Sequence, residues 1–365
     1  MLKPQNKFIN QIKPYILKND IKELNQYIHS GGWFTENKIN NTFENNFKKL
    51  TNSKFAVTFP NGTLTLFAIL KTLNIGKGDK VIVPSYTMVA SANAVLMTGA
   101  DVVFCDINEE NLCMCPVSLK ANYTKKVKAI IYVTLNGRSG SINEIKKFCT
   151  KKNIRIIEDA AHSIGSFYQN KTHHGNIGIA SSFSFSMPKI ITTGQGGLVI
   201  TKNYKLYKNL LQIKNFGRKS DGNDIYESIG YNFKFTDLQA TLGNSQLKNI
   251  LFRIKRKKSI YKRYIKNLKK IKDIEFKSFE TYETPWFVDI YLDNPNKMQA
   301  FLKKNNIGTR KVYPALNKLK MFGSKKICKI AEKYTSRGLW LPSSIGLSNH
   351  EIDFICDVII KFFKK

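Results

Sequence analysis

From residue 54 onward, short apolar runs alternate with stretches of helical periodicity. KFAVTFP (54–60), KVIVPS (80–85), ADVVFCDI (100–107), KAIIYVTL (128–135) and IRIIEDAA (154–161) have the length and β-branched content of strands. Between them, LTLFAILKTLNI (64–75), TMVASANAVLMTG (87–99) and INEIKKFCTKKN (142–153) carry helical spacing, with tight turns at NGT (61–63) and GKGD (76–79). Strand, helix and strand repeated through short turns predict βαβ units and a mostly parallel sheet, and the apolar strands fit burial on both faces. Residues 1–50 read as polar and helical, broken at GGWFTEN (31–37).

Beyond about residue 240 the pattern changes. KNILFRIKRKKSIYKRYIKNLKKIKD (248–273) predicts one amphipathic helix with a solvated basic face. TPWFVDIYL (284–292) reads as a strand, KMQAFLKKNNI (297–307) as a further element and HEIDFICDVIIKFFKK (350–365) as a closing helix. The expected organisation is a large α/β domain over 1–248, including the N-terminal helical segment, and a smaller α+β domain over 249–365.

Composition narrows the class. Of the 365 residues 42% are hydrophobic, enough for a sizeable core. No run of about 18 apolar residues appears, so no membrane-spanning helix is expected. The opening MLKPQNKFINQIKPYILKND has no apolar core and no small-residue cleavage site, which predicts a cytoplasmic protein. Six cysteines are scattered without a Cys-x-x-Cys pair and read as reduced, mostly buried thiols. No metal site is predicted: the five histidines do not cluster with cysteine or carboxylate, and His173 and His174 fall in a loop-like segment. The net charge of +33 favours acidic partners, but the lysines run along the whole chain, and abundant Lys, Asn and Ile point to a compositional bias of the source. Without a zinc-finger, RRM-like or helix-turn-helix signature, specific nucleic-acid binding is not expected.

In open parallel sheets, ligands bind beyond the carboxyl ends of the strands. Asn61-Gly62-Thr63, Asp159, and Ser184 with Lys189 fall at such ends. NGT at a helix start is either an ordinary cap or an anion site made of backbone N–H groups, a hydroxyl and the positive end of the helix dipole. GQGGLVI (194–200) lacks the Gly-x-Gly-x-x-Gly spacing and leads into a strand, so it is not a nucleotide fingerprint. Glu158 and Asp159 are adjacent on a strand and point to opposite faces, so they are no acid/base dyad. Asp159 either starts a turn or holds a cationic nitrogen. Lys189, amid apolar residues, is either a snorkelling surface lysine or a buried amine. A phosphate turn, a strand-end carboxylate and a lysine are what pyridoxal phosphate needs for its phosphate, its pyridine nitrogen and its aldehyde.

EDAAHSIGS (158–166), FSFSMPKIITTGQGGLVIT (183–201), GYNFKFTDLQATLGNSQL (230–247) and the opening block NGTLTLFAILKTLNIGKGDKVIVPSYTMVASANAV (61–95) resemble, in order and spacing, the signature blocks of the DegT–StrS family over roughly residues 25–350. That family comprises pyridoxal-phosphate-dependent sugar-nucleotide aminotransferases of fold type I. The resemblance implies that Lys189 is the Schiff-base lysine and that Asp159 pairs with the pyridinium nitrogen. It implies that Gly62, Thr63 and Ser184 hold the phosphate and that His162 lies near the phenolic oxygen. Asn232 matches a residue that reaches the phosphate from the neighbouring subunit, which implies a homodimer with shared sites. Met88 stands where the family has an aromatic residue stacked on the pyridine ring, with Tyr86 two residues earlier; a thioether can also pack on a ring. Lys234 stands where the family often has Arg.

SMPKIITTGQGG is most similar to perosamine-synthase-like members, which implies amination at C4 of a GDP-linked 4-keto-6-deoxy sugar with glutamate as amino donor. UDP- or dTDP-linked 4-keto sugars and 3-keto sugars are the alternatives. Related sugar dehydratases carry histidine in place of the lysine, so Lys189 argues against that chemistry. A non-catalytic basic binding protein on the same fold is the rival from another class.

Overall fold

The computed structural model describes residues 7–220 and 222–364. The elements run α1 (Lys18–His29), α2 (Lys38–Thr51), β1 (Phe55–Phe59), α3 (Gly62–Thr72), β2 (Lys80–Pro84), α4 (Ala90–Leu96), β3 (Asp101–Cys105), α5 (Pro116–Ala121), β4 (Val127–Val133), α6 (Ile142–Lys152), β5 (Arg155–Asp159), β6 (Ala180–Ser184) and β7 (Gly197–Thr201). They continue with α7 (Tyr204–Lys214), α8 (Asp237–Lys248), α9 (Ile250–Leu268), β8 (Val288–Tyr291), α10 (Pro295–Lys304), β9 (Arg310–Lys311), α11 (Lys329–Arg337), β10 (Gly338–Leu341) and α12 (Asn349–Phe363).

The first seven strands form one sheet in the order β1-β7-β6-β5-β4-β2-β3. Only β7 runs against its neighbours, pairing antiparallel with both β1 and β6. The carboxyl ends of β1, β5 and β6 therefore share one edge. Val81–Val83, Ile130, Ile131, Ile157 and Leu198–Ile200 are fully buried, as strands covered on both faces require. The last three strands make a small antiparallel sheet, β8-β10-β9, over a second apolar cluster that includes Ile290, Leu302, Leu339 and Ile355.

Several expectations need correction. Residues 87–99 yield only the short α4, because both ends tighten into i→i+3 bonds, Ser91 to Met88 and Gly99 to Leu96. The helix expected over 248–273 forms as α9 with narrower bounds, Ile250–Leu268, because α8 runs on to Lys248 and the chain leaves helical geometry at Asn249 (φ −107°, ψ 18°). Its basic face is not wholly solvated either. Lys257 is buried and donates to the Ser343 carbonyl at 2.7 Å, while Arg253 reaches the carbonyls of Ile190 and Tyr15 at 3.3 and 2.9 Å. Strand β8 covers only the end of 284–292, the earlier part being engaged by the turn after β4. Over residues 7–17 the N-terminal helical reading fails: Ile9 lies extended beside Ile307 and buries itself in the second cluster, while residues 1–6 lie outside the described residues.

Two close approaches set up the sheet edge. Gly197 sits between Phe59 and Ser184 in register, and a β-carbon there would lie 2.5 Å from the Asn61 carbonyl oxygen. The missing side chain lets the chain leaving β1 cross directly over β7. A β-carbon on Gly62 would lie 3.1 Å from that of Ser184, so the start of α3 is brought against the end of β6.

Candidate active site

These approaches open onto a cavity of about 510 Å³ lined by Gly62, Thr63, Met88, Asp159, His162, Ser184 and Lys189, together with Tyr313 and Arg310 from the small sheet's side. Seven of the sequence-predicted residues are thus brought together. Asn232 is not among them: it is exposed, bridges Asn215 in the chain after α7, and accepts from Lys234 Nζ at 3.4 Å.

The two readings of the NGT turn do not exclude each other. Asn61 caps α3, its Oδ1 accepting from Leu64 N–H at 3.0 Å. The N–H groups of Gly62 and Thr63, in the first turn, have no acceptor within the helix. With the dipole behind them and Ser184 beside them, they suit a phosphate.

Asp159 and Glu158 part as the strand geometry predicts. Glu158 is buried away from the cavity and accepts from Tyr168 Oη at 2.5 Å and from the N–H groups of Gly175, Ile177 and Gly178 at 2.9, 2.7 and 2.7 Å. It is the anchor of the 168–178 loop. Asp159 lines the cavity and accepts from Ser91 Oγ at 2.7 Å and Ala161 N–H at 3.2 Å. Burial pushes its carboxyl above the usual range, against the pull of those two bonds and of Lys189. A buried carboxylate so placed is suited to a cationic ring nitrogen.

Lys189 lies in the β6–β7 connection, which Thr192 pins by donating from N–H to Gln246 Oε1 at 2.9 Å and from Oγ1 to the Phe185 carbonyl at 3.0 Å. Its Nζ lies 4.2 Å from the centroid of the Trp286 ring. Burial brings its pKa down to about 7, Asp159 opposing and Arg310 reinforcing. The amine is therefore partly neutral, and nucleophilic, near neutral pH. His162 is buried and accepts at Nδ1 from the Asn136 N–H at 3.3 Å, which leaves Nε2 as the protonated nitrogen. Burial, then the charge of Lys189, holds this imidazole well below its ordinary pKa, so it is a neutral donor.

Met88 lines the cavity at 41% exposure, whereas Tyr86 is buried and shares a hydrogen bond with Tyr291 Oη at 3.2 Å, outside it. Sequence reasoning missed Ser91, Trp286, Arg310 and Tyr313. Ser91 had a local signal, standing one helical turn after Thr87 within the opening block. The others come from far along the chain and carried none.

Free N–H groups at a helix start, a buried carboxylate, a neutral imidazole donor and a low-pKa amine in one cavity form a donor set suited to pyridoxal phosphate. The model of the DegT/DnrJ/EryC1/StrS aminotransferase family matches residues 14–360. The chain is 32% identical over 361 residues to GDP-perosamine synthase of Escherichia coli O157:H7, covering 98% of this chain and 99% of that protein. It is 31% identical over 360 residues to GDP-perosamine synthase of Vibrio cholerae, covering 96% and 98%. The putative sugar aminotransferase Spr1654 of Streptococcus pneumoniae, in its PLP form, superposes with a TM-score of 0.92 at 25% identity, over 98% of this chain and 99% of that one. The aminotransferase TlmJ of Streptoalloteichus hindustanus shares the fold, with a TM-score of 0.93 at 22% identity over 98% and 100%. Sequence and fold agree across almost the whole length: the chain belongs to the DegT/DnrJ/EryC1/StrS aminotransferase family, whose members work with pyridoxal phosphate.

Proposed function

We propose that the protein transfers the amino group of glutamate to C4 of a GDP-linked 4-keto-6-deoxy sugar, as a cytoplasmic homodimer. The observation that carries the reading is the convergence of Lys189, Asp159 and the start of α3 on one cavity. The sugar and nucleotide rest on the likeness to two GDP-perosamine synthases over nearly the full chain. Six unpaired thiols fit a reducing compartment.

When bound, the cofactor supplies an electron sink and carries the amino group between donor and acceptor. Gly62 and Thr63 N–H with the Ser184 hydroxyl would hold its phosphate. Asp159, as carboxylate, would keep its ring nitrogen protonated, and the His162 Nε2–H would face its ring oxygen. Met88 would pack on its ring. Lys189, with a pKa near 7, takes a proton at Nζ and returns it at neutral pH, as general base and then general acid.

The homodimer is supported by the loop leading to Asn232. Ile225, Tyr226 and Ile229 are 54, 56 and 86% exposed there. Apolar side chains this exposed suit coverage by a second copy, which would carry Asn232 to the partner's phosphate.

The test is a product assay with glutamate against GDP-, UDP- and dTDP-linked 4-keto and 3-keto sugars. The expected result is 2-oxoglutarate and a 4-amino sugar from the GDP substrate, and no product with Lys189→Ala. A clear preference for a UDP or dTDP sugar overturns the nucleotide assignment.

A further inference from the structure

Asn136 follows β4 and lies outside the cavity. Its backbone is left-handed (φ 56°, ψ 17°), and Gly137 follows with φ 94°. A β-carbon on Gly137 would overlap the Thr284 carbonyl, so this turn admits the main chain of residues 284–287 at contact distance. There the Asn136 side chain pairs with Phe287 in both directions: Oδ1 accepts the Phe287 N–H at 2.6 Å, and Nδ2 donates to the Phe287 carbonyl at 2.9 Å. The Asn136 carbonyl accepts from Trp286 N–H at 3.1 Å, and its own N–H donates to His162 Nδ1 at 3.3 Å.

One residue thus grips both the His162 ring and the segment that carries Trp286. Trp286 in turn touches His162, the Pro188 carbonyl and the Lys189 amine. Its ring is stacked on His162, 3.9 Å between centroids and 11° from parallel. Its Nε1–H donates to the Pro188 carbonyl at 2.8 Å, beside Lys189, whose Nζ lies over the indole. Pro285 has no N–H to give, and β8 begins only at Val288. The side chain of Asn136 therefore supplies the pairing that a neighbouring strand would supply elsewhere.

We propose that Asn136 is a positioning residue for transamination: by pairing with Phe287 as a strand edge would, it wedges Trp286 against His162 and the Lys189 amine, so that both groups meet the cofactor in a fixed, water-poor arrangement. The inference rests on the reading of Lys189 and His162 as the cofactor's partners. Besides Trp286, the groups facing Lys189 are Asp159 from β5, His162 after it, Arg310 from β9 and Tyr313. None of these is bonded to the Asn136 side chain, so its removal leaves their charges in place.

The experiment follows acetylation of Lys189 by acetic anhydride across pH 5–10 in the cofactor-free protein, read by mass spectrometry. The variants are Asn136→Gly, which keeps the left-handed turn and deletes the clamp, and Asn136→Ser, which adds no charge and is too short to pair with Phe287 in both directions. In the wild type the labelling midpoint lies near 7. In Asn136→Gly water reaches the amine, and the midpoint rises by roughly one unit or more. The kcat of the loaded variant falls by about tenfold, while KM for the nucleotide sugar stays within about twofold. Asn136→Ser falls between. A wild-type midpoint in Asn136→Gly overturns the proposal, even with kcat reduced, because the side chain then acts other than through Trp286 and Lys189. Should the glycine variant not fold, the serine variant decides by the same midpoint. Transamination by Lys189→Ala would instead refute the underlying reading, and that assay is independent of the labelling.

Discussion

Ser91 Oγ lies 2.7 Å from Oδ2 of Asp159, so helix α4, outside the sheet, fixes the carboxylate at the end of β5. Burial raises the Asp159 pKa and the Ser91 bond lowers it, so the hydroxyl determines how far the group is ionised. The sign follows from which form each state needs. A carboxyl raised in the folded state favours its proton there, so the cofactor-free protein loses stability as pH rises through the Asp159 value. The loaded enzyme needs the carboxylate, which a bound ring cation favours, and loses activity as pH falls far enough to protonate Asp159 there. Ser91→Ala should therefore move the acid limb of the kcat/KM profile upward by about half a unit to one unit, and weaken cofactor retention several-fold. Asp159→Asn, which removes the charge, should lower turnover by about a hundredfold or more. An acid limb that stays put in Ser91→Ala would show that the bond does not tune Asp159.

Lys189 should cost the cofactor-free protein stability. Its pKa is depressed to about 7, so between about 7 and 10.4 the unfolded chain holds the proton that the folded chain has lost. Stability must then rise with pH across that window, and the full cost is present below it. Lys189→Met removes the titration. It should stabilise the cofactor-free protein at pH 7 by on the order of 1–3 kcal/mol, after discounting for water in the cavity, and the gain should vanish toward pH 10.4. Urea denaturation of both proteins at several pH values measures it. A gain that does not change with pH would mean that the lysine is not desolvated as the geometry requires.

Much of the fold was legible because the sheet is buried on both faces. Runs such as Val81–Val83 and Ile130–Ile131 have no polar face to serve, so their composition alone marks them as strands. The strand-end residues Asp159 and Ser184 were legible for a related reason, since parallel topology fixes which end faces a ligand. Contacts between distant segments were not legible. Trp286 lies within a run that reads as a strand, and nothing local announces that Asn136 holds it over Lys189. Arg253 and Lys257 look solvated within a lysine-rich helix. They are buried because carbonyls at Ile190 and Ser343, set by other elements, receive them. The short α4 was obscured by a helical pattern that runs past both its ends.

Asn232 should act in trans. It lies outside the cavity that holds Lys189, on a loop with exposed apolar side chains. Mixing Lys189→Ala chains with Asn232→Ala chains makes heterodimers in which one site carries both lesions and the other carries neither. Activity should reappear on mixing, up to about a quarter of the wild-type level at equal ratio, since half of the dimers are mixed and each has one intact site. The measurement needs exchange of subunits to be confirmed by mass spectrometry and Asn232→Ala alone to be impaired. No recovery under those conditions would place Asn232 in its own subunit's site or in none.

The net charge of +33 should act on capture of the nucleotide sugar. The substrate carries a pyrophosphate, and a positive field raises its encounter rate. Arg310 is exposed on β9 at the cavity, its guanidinium 5.9 and 5.7 Å from the ring centroids of Tyr313 and Trp340, a cation held ready at the entrance. Exposed charges are screened beyond roughly 8–10 Å near physiological salt, whereas groups inside the cavity are screened much less. Raising salt from about 20 to 300 mM should therefore lower kcat/KM several-fold and leave kcat nearly unchanged. Arg310→Gln should lower kcat/KM at low salt and flatten its salt dependence, because one of the charges nearest the path is gone. Duplex DNA should bind weakly, without sequence preference, and release over the same salt range as its counterions return. Efficiency that is flat in salt would leave the charge as a bias of composition, and DNA binding that survives 300 mM salt would give it a different partner.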